Sequence, residues 1–122
     1  MLLVLASLAC VQPSPVVGEA LSDGGSWWVS LEQTAFDQGE VEVALLVQTA
    51  GEGAPALGLE VLARPDMDTM GHSEEVSRLS EDGDGRYAGA LRFPMSGLWT
   101  LSGYLSDGVV TEGYALIVEV TP

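Results

Sequence analysis

Apolar and polar residues alternate with a period of two in four stretches of the chain. "EVEVALLVQ" (40–48) puts Val41, Val43, Leu45 and Val47 on one face, and "ALGLEVLAR" (56–64) does the same with Leu57, Leu59 and Val61. "RYAGALRF" (86–93) alternates through Tyr87, Leu91 and Phe93, and "GYALIVEV" (113–120) through Tyr114, Leu116, Val118 and Val120. Neighbouring side chains of a strand point to opposite faces, so each run predicts a half-buried β-strand. Turn-forming clusters separate the runs: "DQG" (37–39), "GEGAP" (51–55), "EDGDG" (81–85), "PMSG" (94–97) and "SDG" (106–108). About seven strands are predicted, near 26–33, 40–48, 56–63, 73–80, 86–93, 98–105 and 109–120. The fourth is the weakest, because Val76 and Leu79 break its alternation. No helical period and no repeat emerges. The spacing predicts an all-β fold, an immunoglobulin-like antiparallel β-sandwich of about seven strands, with a small closed barrel as the alternative.

This pattern begins at Ser26. Residues 10–25 carry prolines, glycines and small polar residues without a period, and read as a flexible tether ahead of a domain at 26–122. Before them, "MLLVLASLA" (1–9) is too short to span a bilayer and suits the apolar part of a secretory signal. A single Cys closing such a run, Cys10, reads as a lipoprotein processing site, with the lipid on the new N-terminal Cys. The expected location is extracytoplasmic, with the membrane met only through the lipid anchor. In a Gram-negative cell the outer membrane is favoured, because Val11 rather than Asp follows Cys10. Cys10 is the only cysteine, so no disulfide is available and the core must hold the domain together.

Charge narrows the partners. There are 18 Asp and Glu against four Arg (Arg64, Arg78, Arg86, Arg92) and no Lys, for a net charge of -14 over 122 residues. Such a body repels nucleic acid and anionic lipid, and concentrates cations without selecting among them. Catalysis finds few parts: one His, no G-x-S-x-G, and acidic pairs such as Glu74–Glu75 with nothing to mark them as buried. A non-enzymatic role follows. "EDGDG" offers too short a ligand run for calcium and reads as a hairpin turn. Of the adjacent Trp27 and Trp28, one must point inward and one outward, the outward one being a contact residue or a surface cover. Trp99 reads as core.

One stretch remains, "MDTMGH" (67–72). Met67, Met70 and His72 are soft or borderline donors, and the chain has no other histidine. Thioethers prefer soft cations, chiefly Cu(I), and imidazole suits copper as well. If successive strands run antiparallel, the loops at 34–39, 64–72 and 94–97 share one end, and the last contains Met95. The expected cluster is Met67, Met70, His72 and Met95, with three or four of them on one Cu(I). Asp66, Asp68, Glu74 and Glu75 would surround it. The alternative is that these methionines fill gaps at the end of the core.

Taken in order, "MDTMGH", "GRY" (85–87) and "FPMSGLW" (93–99) resemble the YtkA-like domain family, related to the FixH proteins. The resemblance covers roughly residues 40 to 120. It implies an immunoglobulin-like sandwich outside the cytoplasm, with Met67, Met70, His72 and Met95 matching the family's Met, Met, His and later Met. Some relatives are associated with copper handling or with assembly of copper-containing respiratory oxidases, so a copper-receiving or respiratory-complex protein is the implied partner. Asp68 stands where the family often has Pro, and the lipid anchor replaces the transmembrane helix of FixH-type members. The competing expectation is a non-catalytic structural or protein-interaction module without metal, whose acidic surface meets a basic partner.

Overall fold

The computed structural model describes residues 17–122. The signal expected at 1–9 and the lipidation expected at Cys10 lie outside the described residues. Ten strands form: β1 (Glu19–Leu21), β2 (Trp27–Leu31), β3 (Ala35–Asp37), β4 (Gly39–Thr49), β5 (Glu60–Met67), β6 (His72–Ser73), β7 (Ser77–Glu81), β8 (Arg86–Phe93), β9 (Gly97–Ser106) and β10 (Thr111–Thr121). The fold is all-β, as the alternation predicts. The strands hydrogen-bond in the order β1-β2-β4-β8-β7-β5-β9-β10-β3, with β6 beside β5, in a mixed sheet curled into a half-barrel. Among the described residues only β3 runs parallel to its neighbour, β10; the other strand pairs are antiparallel.

Alternation sets the core. Val43, Leu45 and Val47 of β4 are buried, as are Tyr87, Leu91 and Phe93 of β8 and Tyr114, Leu116, Val118 and Val120 of β10. Register carries this burial across the ladders: Leu45 lies opposite Tyr87, Trp99 opposite Val118, and Leu101 opposite Leu116. Each fully buried aliphatic or aromatic side chain contributes about 1.5–3 kcal/mol relative to exposure. Trp27 faces in and Trp28 out, and Trp99 is core.

The structure departs from the sequence reading in four places. Ten strands replace about seven, because β1, β3 and β6 are two or three residues long and too short to show a period. β5 starts at Glu60, not 56, and Leu57 is exposed rather than inward. Gly58 at φ +69° breaks the extended chain there, and the buried Tyr87 hydroxyl pins the detour by donating to Ala56 O (2.7 Å) and accepting from Leu59 N (3.0 Å). The weak strand at 73–80 is interrupted: Val76 is exposed, and β7 pairs with both β5 and β8, joining the two halves of the sheet. Finally, β1 falls within the stretch read as a tether, so residues 19–25 belong to the folded body.

One carboxylate explains that last point. Glu112 occupies an inward position of β10 and is buried. It accepts hydrogen bonds from Ser22 Oγ (2.6 Å), Ser26 Oγ (2.5 Å) and Ser26 N (3.1 Å), while Ser22 Oγ accepts from Trp27 N (3.0 Å). Asp23 N donates to Gly113 O (2.8 Å) alongside. The β1–β2 turn is thereby locked onto β10. Burial pushes the Glu112 carboxyl up, but bonds from the Ser22 and Ser26 hydroxyls and from the Ser26 and Gly24 amides outweigh it and hold the group below its ordinary 4.5.

Glu112→Ala is expected to destabilise the protein by about 2 kcal/mol, because the serine donors lose a charged partner. The folded pKa is depressed, so the contribution of Glu112 is complete above 4.5 and fades as pH falls through the lower folded value. Urea unfolding at neutral pH and at about pH 3 should therefore show the mutational effect shrinking in acid. An effect equally large at both pH values would contradict this origin.

Candidate metal centre

β5 ends at Met67, and the chain reverses at once. A 3-10 turn over Asp68–Met70 and Gly71 at φ +64° bring it back as β6, with Met67 opposite His72 and Asp66 opposite Ser73. Glu74 N then donates to Pro65 O (2.9 Å), holding the returning chain against β5. The reversal sets two candidate donors, Met67 and His72, side by side across a hairpin, with Met70 at its tip.

The third segment arrives through the indole of Trp99. Trp99 is buried, and its Nε1–H donates to Met95 O (2.9 Å) across the β8–β9 turn. Its ring meets Phe93 edge-on at 5.5 Å between centroids, and Phe93 stacks on Phe36 of β3 at 6.0 Å. The His72 ring meets Trp99 edge-on from the other direction, at 5.9 Å and 86°. Gly97 turns at φ +131°, and a Cβ there would lie 3.0 Å from the Met67 methyl. Gln38 Nε2 donates to Pro94 O (2.9 Å), tying the 34–39 segment to the same turn. The three loops expected at one end do meet there.

Their side chains differ in access. Met67 is 5% exposed and packed into the core, Met95 is half-buried against it, and Met70 is 65% exposed. His72 is half-buried, with Nε2 hydrogen-bonded to Glu74 Oε2. His72 and Glu74 are two residues apart on an extended chain and so share a face. The Glu74 contact went unrecognised in the sequence, although the H-x-E spacing carries it. A carboxylate that accepts a hydrogen bond from the N–H of one imidazole nitrogen leaves the lone pair of the other available, the usual support for a metal-binding histidine.

The expected acidic surround is only partly present. Asp66 is buried, with Oδ2 accepting from Ser102 Oγ (3.2 Å) and Arg64 Nε (3.3 Å) and Oδ1 without a hydrogen-bond partner among the described residues, so it is tied to β5 and β9 and is not an open surface carboxylate. Glu74 is committed to His72, and Glu75 is exposed. Among the described residues no three His, Cys, Asp or Glu side chains converge on a common point, so a cation here would depend on thioether sulfur. Met67, His72 and Met95 carry donors of that type, and Met70 is exposed at the hairpin tip. "EDGDG" is a turn, with Asp82 Oδ1 accepting from Arg86 Nη1 at 2.7 Å.

Packing and ligation make separable demands on the methionines. Met67→Leu should cost less than about 1.5 kcal/mol, since shape is conserved, and Met67→Ala about 2–5 kcal/mol. Met70→Ala should stay within about 0.5 kcal/mol. Denaturant titration of the metal-free protein checks all three, and a large loss at Met70 would contradict its placement.

No protein-family model, no curated protein and no solved structure matches this chain.

Proposed function

We propose that this protein binds Cu(I) as cargo, through Met67, Met70, His72 and Met95, and buffers it or passes it to a receiving protein. In this reading it is a YtkA-like, non-enzymatic domain held outside the cytoplasm by lipid on Cys10. The observation that carries the proposal is the pairing of Met67 with His72 across the hairpin, beside an indole that also anchors Met95. Three soft or borderline donors from two segments far apart in sequence thus share one end. Soft donors favour Cu(I) over harder cations, and thioethers need lose no proton to bind. Glu74 orients the imidazole, and the net charge of -14 favours the approach of a cation.

The strand order also supports an immunoglobulin-like sandwich: β1-β2-β4-β8 would form one layer and β5-β9-β10-β3 the other, with β7 bridging them. A second reading, an interaction module without metal, draws on the burial of Met67, whose side chain packs as a core methionine does. In the copper reading, Met67 supplies sulfur from just beneath the surface and the exposed Met70 completes the shell.

The test is a Cu(I) titration against a chromogenic chelator, comparing the parent with a variant carrying Met67→Leu, Met70→Leu, Met95→Leu and His72→Ala. One tight equivalent in the parent, lost in the variant, is the expected result. Glu74→Ala alone should weaken binding by about 10- to 100-fold, as removal of a supporting carboxylate does. Equal and poor competition by parent and variant would leave the module reading standing.

A further inference from the structure

Away from the methionines, the structure contains a groove of about 1030 Å³ running between the β1–β2 turn and the outer sides of β5, β9 and β10. None of Met67, Met70, His72 and Met95 lines it. Two cross-strand pairs supply its apolar surface: Leu21 opposite Trp28, and Leu62 opposite Tyr104. Trp28 is 37% exposed and Tyr104 58%, and Val76 is exposed beside them. Apolar side chains gathered in one concave surface mark an interaction site more often than apolar residues scattered singly.

The polar groups of the groove narrow the occupant. The Ser22 hydroxyl is spent on Glu112, the Ser102 hydroxyl and Arg64 Nε on Asp66, and the Tyr114 hydroxyl on Leu62 O (2.8 Å), while the Arg64 Nη groups and the Tyr104 hydroxyl have no hydrogen-bond partner among the described residues. The rim keeps Glu19 and Asp23, carboxylates with no side-chain hydrogen bond or ion pair among the described residues, on a chain of net charge -14. Aromatic faces beside carboxylates favour a ligand that is apolar and cationic at once. A second copy of this chain would be repelled.

We infer that this groove docks a basic, amphipathic segment of a partner protein, its apolar side chains seated on Trp28 and Tyr104 and its Lys or Arg side chains meeting Glu19 and Asp23. The inference is independent of copper. Trp27 and Trp99 are buried, which makes Trp28 the solvent-facing indole and a direct reporter of docking.

The probe is a synthetic peptide in which Arg alternates with Phe or Leu, compared with its Glu-for-Arg version and with a neutral oligosaccharide of similar length. Calorimetry gives affinity, and backbone amide shifts give the footprint on the full chain. The expected result is binding of the basic peptide alone, with shifts centred on Leu21, Trp28 and Tyr104. Trp28→Thr and Tyr104→Ser, both at exposed strand positions, should each weaken it by about tenfold or more. Two variants are used so that misfolding of one does not decide the matter. Binding unchanged in both, with shifts scattered over the acidic surface, would reduce the effect to net charge and overturn the inference. Seating of the oligosaccharide in place of the peptide, or no binding by any probe, would overturn it as well.

Discussion

Trp99 must be buried for its area and yet hydrogen-bonded for its N–H, and one end of the fold is arranged around meeting both demands. The carbonyl that accepts the indole proton belongs to Met95, so the β8–β9 turn cannot move without exposing or orphaning that group. Phe93 and, behind it, Phe36 close one side of the indole, and the His72 ring closes another. The hairpin that carries His72 also carries Met67, whose methyl lies over the space that Gly97 leaves open. A single aromatic side chain thereby sets the mutual placement of three candidate donors. Copper, in the proposed function, would use an end that already exists for packing reasons.

Glu112 lies at the other end of the β9–β10 ladder from Trp99. Buried without partners, it would cost several kcal/mol; with the serine hydroxyls and amides around it, it becomes the tie between the β1–β2 turn and β10. That tie holds one wall of the groove in which Trp28 and Tyr104 stay exposed. The Ser22, Ser102 and Tyr114 hydroxyls of the groove are engaged internally, and Leu21, Trp28, Leu62 and Tyr104 supply its apolar surface between acidic edges. The two surfaces are chemically distinct, one rich in sulfur and the other aromatic and anionic, and they share no residue, so the two proposals do not compete for the same side chains.

Much of the fold was legible because burial follows a period of two. The inward faces of β4, β8 and β10 could be read residue by residue, and so could the division of Trp27 from Trp28. What was missed depends on single contacts that leave no period. β1 looks like a tether, since nothing in "EAL" announces that a glutamate some ninety residues later will fasten the turn beside it. The break at Gly58 was masked by the alternation of Leu57, Leu59 and Val61, and only the Tyr87 hydroxyl explains why the chain leaves the ladder there. At the candidate site, parity of the strands correctly brought 34–39, 64–72 and 94–97 to one end. Parity says nothing about exposure, however, and so it did not separate the buried Met67 from the exposed Met70, or reveal that Asp66 is occupied by Arg64 and Ser102.

The central claim is that Met67, Met70, His72 and Met95 act together on one soft cation. The measurement that meets it most directly is a methyl spectrum of protein labelled with 13C at the methionine ε-methyl groups, followed as Cu(I) is added, with the His72 ring protons recorded in parallel. The methyls of Met67, Met70 and Met95 and the His72 ring are expected to shift at the same stoichiometry, to one new set of signals. If Met70 alone moves, or the methyls of Met67 and Met95 keep their metal-free positions at saturation, those two sulfurs are packing atoms and the claim is wrong.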